Sequence, residues 1–228
     1  MVNARLVGSL LVAAVGLSTL VVLAQKQDAE VDKICAEMDQ LAVENKNDGN
    51  VEALLQKDLA QLNKLPISDI RRLRANAAMV RYYARTKNAV AGAEAQRAMT
   101  QYMDELIKTP NLSASVLTRG GTECDSLADI FAVRFHPFRG ADVQAKAGPK
   151  DFALAEGYRL QSLALYDRLP DKDINRIMAH RAIVLWYRHY GRDKEATAQT
   201  DRLAKLLGSN KPEVLFPPPP PCPACGMG

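Results

Sequence analysis

A chain of 228 residues, 47% of them apolar, can form one ordinary domain with an appendage and bury a real core, which excludes a disordered protein. Its 30 basic and 26 acidic residues leave a net charge of only +4 without a concentrated patch, so no nucleic acid is expected as a partner.

The chain opens with Leu6 to Ala24, nineteen residues without a charged side chain. That length suits a membrane-spanning helix, which needs roughly 20 apolar residues, better than the shorter apolar core of a cleaved signal. Val22-Leu23-Ala24 before Gln25 offers a small-residue cleavage site, so release after Ala24 is the alternative to a retained signal anchor. Arg5 precedes the segment and mixed charges follow it, which keeps the N-terminus cytoplasmic and places the body on the periplasmic or extracytoplasmic side. The expected organisation is a signal anchor over 1–25, helical hairpins over 26–110, an irregular connection with one short helix over 111–150, further hairpin structure over 151–210, and a Pro-rich tail over 211–228.

Apolar residues spaced by three and four predict the helices. Val31, Ile34, Cys35, Met38, Leu41 and Ala42 form one face of a helix that could continue the membrane segment as a single rod to about residue 47. A second helix is expected over 51–65, ended by Pro66, and a third over 69–86, capped by Ser68 with Asp69 favouring its positive end. A partner helix over 89–108 completes a hairpin. Residues 111–122 look irregular, with a short helix over 124–135. After a loop containing two Pro and two Gly, helices are expected near 151–169, 171–190 and 192–207. No stretch alternates as strands would, so the fold class is all-α.

Two parts of the chain coincide when shifted by 104 positions: Val80-Arg81-Tyr82-Tyr83 lies over Val184-Leu185-Trp186-Tyr187. Repeated helical hairpins stack, each covering a face the last leaves open. In the second copy Tyr187, Gly191 and Ala196 carry the spacing of an aromatic, a turn glycine and a second-helix alanine, closed by Pro212. This copy resembles a tetratricopeptide repeat. The first copy departs from the pattern, with Lys87 at the glycine and Gly92 at the alanine. The resemblance implies a groove that binds another protein and implies no chemistry.

Candidate chemistry is sparse. His136 lies in a loop, and His180 and His189, nine residues apart on one expected helix, face different sides and cannot share a metal. There is no phosphate-binding glycine loop, zinc-protease motif or serine elbow, so no catalytic residue and no cofactor is expected. Pro217 to Pro221 form an extended spacer before Cys222 and Cys225, a Cys-x-x-Cys pair open to a local disulfide, a shared metal site or a redox dithiol. Cys35 and Cys124 could pair or serve as small buried apolar residues. Arg71, Arg74, Arg81 and Arg85 form a basic stripe on one helix, and an earlier segment over 28–58 is rich in acids. The stripe is either solvated or paired within the chain, or it docks onto an acidic partner or lipid headgroups, with Tyr83, Trp186 and Tyr187 as further partner contacts.

The expected function is a non-catalytic, membrane-anchored scaffold or accessory subunit that binds partner proteins. The alternative is a thiol-redox or metal-handling protein using Cys222 and Cys225.

Overall fold

Breaks in helical periodicity set the architecture of this computed structural model, which describes residues 28–42, 49–132, 135–136, 140–141 and 148–217. The first helix, α1, covers 28–42. Then follow α2 (Gly49–Leu62), α3 (Ile70–Thr86), α4 (Ala89–Lys108), α5 (Ala114–Phe131), α6 (Pro149–Tyr166), α7 (Ile174–His189), α8 (Asp193–Leu207) and the single turn α9 (Pro212–Leu215). The described body is all-helical apart from one antiparallel pair of two-residue strands, Phe135–His136 and Gly140–Ala141, in the connection between α5 and α6. Among the described residues no helix is long and apolar enough to cross a membrane. The expected anchor at 6–24 and its junction with α1 lie outside them, whereas the 28–42 stretch of the expected rod is helical.

Local chemistry explains the helix starts. Asp69 caps α3, its carboxylate accepting from the Arg71 amide at 2.9 Å, so the cap is one residue later than the expected Ser68. Asn88 and Ser113 cap α4 and α5 in the same way. The structure corrects the expectation that residues 111–122 are irregular, because α5 begins at Ala114. Gly120 and Gly121 make that segment a poor helix by propensity, yet packing overrides it. A Cβ on Gly121 would stand 2.4 Å from the Tyr166 ring, and one on Gly120 would stand 2.7 Å from Leu165. The glycines let α6 lie against α5 at close range.

The duplication is deeper than its aromatic residues indicate. Leu65-Pro66-x-x-Asp69-Ile70-x-Arg72 recurs 104 positions later as Leu169-Pro170-x-x-Asp173-Ile174-x-Arg176. Both copies build the same turn. Asp69 N–H donates to Pro66 O at 2.9 Å, as Asp173 N–H does to Pro170 O at 2.9 Å. Asp173 caps α7 by accepting from the Asn175 amide at 2.8 Å. Arg72 Nη1 reaches back to Leu65 O at 3.1 Å, and Arg176 Nη1 to Leu169 O at 3.0 Å. The three-helix runs α2–α4 and α6–α8 are therefore two copies of one unit.

A continuous core joins α3 and α4 to α5, α6 and α7 through Leu73, Met103, Leu127, Leu165 and Trp186, all buried. A second core seats Cys35, Met38 and Ala42 of α1 on Leu55, Leu62 and the Ala75–Ala78–Tyr82 face of α3. Burying side chains of this size contributes about 1.5–3 kcal/mol each for the larger ones. Cys35 and Cys124 are free thiols buried in the helix interfaces, so of the two readings the small apolar residue holds. Burial pushes the Cys35 thiol up to about 11 and raises that of Cys124 as well.

Candidate partner-binding groove

Alanines on α4 leave space that larger residues would fill. Ala91, Ala95 and Ala98 face Leu59 of α2 and Met79 of α3 across a groove of about 360 Å³, rimmed by Glu52, Gln56, Asn76 and Glu94. At its end the Tyr83 hydroxyl donates to Glu52 Oε1 at 2.8 Å and Gln56 Nε2 donates to the same hydroxyl at 3.3 Å. Gly92 packs against Tyr83 here, where a Cβ would make only an ordinary contact, at 3.5 Å from Tyr83 Cβ. The arrangement offers an apolar floor with an acidic and amide rim, suited to holding an apolar side chain flanked by donors.

The second unit repeats the anchor and changes the lining. Tyr187 hydroxyl donates to Glu156 Oε1 at 2.9 Å, the same bond 104 positions on. Where the first unit has Glu94, Ala95 and Ala98, the second has Ala198, Gln199 and Arg202. Ala198 removes the acid of Glu94 while Glu156 keeps that of Glu52, and longer side chains stand at all three alanine positions, Glu195 replacing Ala91 and Gln199 being buried. The aromatic residues of this unit are packed together: Phe152 stacks on Trp186 at 4.6 Å between ring centroids, and Tyr190 closes on both.

Of the aromatic residues expected as partner contacts, Trp186 is fully buried and Tyr83 and Tyr187 nearly so, each holding helices together. Among these three only Tyr83 borders the groove. The arginine stripe clamps α1 and α5 to α3. Arg71 pairs with Asp69 at 2.7 Å and with Asp28 and Asp32 of α1 at 3.1 and 3.3 Å. Arg74 pairs with Asp39, Arg81 with Glu123 of α5, and Arg85 donates to Ala42 O at 2.8 Å. Individually such surface pairs contribute about 0–1 kcal/mol, but together they fix the register of α1. Cys222 and Cys225 lie outside the described residues, as does the proline run beyond Pro217. Among the described residues no group of three His, Cys, Asp or Glu side chains could hold a metal ion.

An ionic cluster around the buried Arg159, with half-buried carboxylates, joins α5 and α6 and is not revealed by periodicity. Arg159, where the first unit has Leu55, donates to Asp129 at 2.7 Å, lies 3.5 Å from Asp125, and stands over the Trp186 ring. Burial pushes the Asp125 carboxyl up to about 6, against the pull of Arg159.

No protein-family model matches the chain, and neither does any curated protein or solved structure. The tetratricopeptide likeness therefore rests on the spacing of Tyr187, Gly191 and Ala196 and on the turn that Gly191 makes, at φ +69°.

Proposed function

We propose that this chain is a non-catalytic adaptor or accessory subunit of a membrane-associated assembly. Residues 6–24 anchor it, its helical body stands outside the cytoplasm, and a partner protein docks on the hairpin surface. The observation that carries this reading is the duplicated hairpin unit, whose first copy keeps an alanine-lined groove open where the second copy carries Gln199 and Arg202. Stacked hairpins present extended faces to partners, and an apolar pocket with a polar rim accepts the anchoring side chain of such a partner.

The test compares proteins co-purifying from solubilised membranes with the wild type, with Ala95→Arg, and with Cys222→Ser/Cys225→Ser. The groove variant should lose a specific partner that the wild type retains. Full recovery of every partner by Ala95→Arg removes the groove from the binding surface. Loss confined to the cysteine variant transfers the function to the tail.

A further inference from the structure

The two units differ most at one place. In the first, Asn76 Nδ2 donates to Asn63 Oδ1 at 2.9 Å and to Arg72 O at 2.9 Å, so a neutral amide pair bridges α2 and α3. The space beside that pair is closed by Tyr102, whose hydroxyl donates to Ile67 O at 2.6 Å and whose ring lies under Arg72. In the second unit the arginine is kept as Arg176 while the amide pair and the tyrosine both change. His180 and Asp167 replace the amides, with His180 Nε2 2.8 Å from Asp167 Oδ1. Leu206 replaces Tyr102, while Arg202 and Lys205 replace Ala98 and Gln101.

The outcome is a cleft of about 360 Å³ where the first unit has a tyrosine, lined by Asp167, Asp171, Arg176, His180, Arg202, Lys205 and Leu206. Stability does not require the exchange, because two asparagines make the same bridge 104 positions earlier. Arg176 is satisfied by Asp171 at 2.5 Å, Asp167 at 3.2 Å and Leu169 O. Its fork is thereby locked facing the cleft wall. The His180 hydrogen bond, helped by Arg176, holds Asp167 below the usual carboxylate range, so that carboxylate is ionised and already engaged. Arg202 and Lys205 are exposed on the rim and form no ion pair among the described residues. His180 is buried, its side chain 4% exposed, and its Nδ1 is shut from solvent without a hydrogen-bond partner among the described residues. A buried polar atom left so carries an uncompensated desolvation cost.

We infer that this cleft is a binding site for a small oxyanion, the phosphate or carboxylate group of a ligand, held between Arg202 and Lys205. The chemistry follows from charge and space. Three cations face two carboxylates that are already committed to Arg176 and His180, which leaves the rim cations for an incoming anion. Guanidinium and ammonium donors form charge-assisted hydrogen bonds with phosphate and carboxylate oxygens. Loss of the tyrosine ring supplies the room.

Calorimetric titration of the intact protein with inorganic phosphate, with glutarate and with vesicles containing phosphatidylglycerol tests the site and separates a free anion from a lipid headgroup. The expected result is saturable binding of phosphate or glutarate in the roughly millimolar range or tighter. Binding should weaken at least about tenfold in Arg202→Gln/Lys205→Gln, which alters only exposed side chains. Leu206→Tyr, restoring the plug of the first unit, should abolish it. Binding to vesicles alone, again lost in both variants, assigns the site to a headgroup phosphate. The inference is overturned if none of the three probes binds, or if binding persists unchanged in the rim double variant. Should Leu206→Tyr fail to fold, the double variant decides.

Discussion

Lys87 and Gly191 stand 104 positions apart and make the same turn, with φ of 57° and 69°. The left-handed conformation costs a residue with a Cβ about 1–2 kcal/mol, whereas glycine adopts it freely. Lys87→Gly should therefore stabilise the protein by about 0.5–1 kcal/mol, while Gly191→Val should cost about 1–3 kcal/mol. Nothing lies within 4 Å of the place a Cβ would take on Gly191, so its penalty is backbone strain alone. Thermal melts that include Gly191→Asn would show it, since asparagine tolerates this region and should lose much less than valine. Equal losses for asparagine and valine would point to a packing cause instead. The turn at Gly191 was legible in the sequence because glycine advertises the conformation. At Lys87 the side chain hides a backbone identical in kind, and the departure from pattern is one of residue type only.

At the scale of elements, helices with regular apolar spacing were legible to within a few residues, as α4 and α7 illustrate. The start of α5 was not. Its Gly120-Gly121 pair lowers helix propensity, and only the Tyr166 ring packed on it accounts for those residues. Nor could periodicity reveal the Arg159–Asp125–Asp129 cluster, because an arginine at a core position looks like a break in the pattern. That cluster gives α5 and α6 a pH dependence with a definite sign. An acid whose folded pKa is raised, here to about 6, binds its proton more readily in the folded state than in the unfolded chain. The Asp125 contribution therefore opposes folding above about 6 and fades as pH falls toward the ordinary carboxylate value near 4. Asp125→Asn mimics the protonated form. It should melt higher than the wild type at about pH 7, with the difference shrinking as the pH falls to about 4. An Asn variant that melts lower than the wild type at about pH 7 would show that Asp125 is stabilised by Arg159 rather than penalised by burial, and a difference independent of pH would show that its carboxyl is not shifted.

For the whole molecule, the duplication is visible in the aromatic quartets, whereas the Leu-Pro-x-x-Asp-Ile-x-Arg turns that prove it draw no attention in a search for helices. Those turns lie between helices, outside any amphipathic pattern, and their meaning emerges only when Arg72 and Arg176 are seen closing onto Leu65 and Leu169. The buried state of Trp186 and Tyr187 could not be read from their residue types either, because aromatics serve cores and interfaces alike. The units have diverged in complementary ways. The first closes its side cleft with Tyr102 and lines its groove with alanines; the second opens the cleft by way of Leu206 and puts Gln199 and Arg202 at the groove positions.

The claim that the first unit's groove holds a partner is tested most directly by photo-crosslinking. A benzophenone side chain placed at Ala95 in the intact protein in its native cells should give a discrete adduct of higher mass, whereas one at the exposed Glu105 of the same helix should not. Adducts of the same identity and yield from both positions, or none from Ala95, would contradict the assignment of that groove as the docking site.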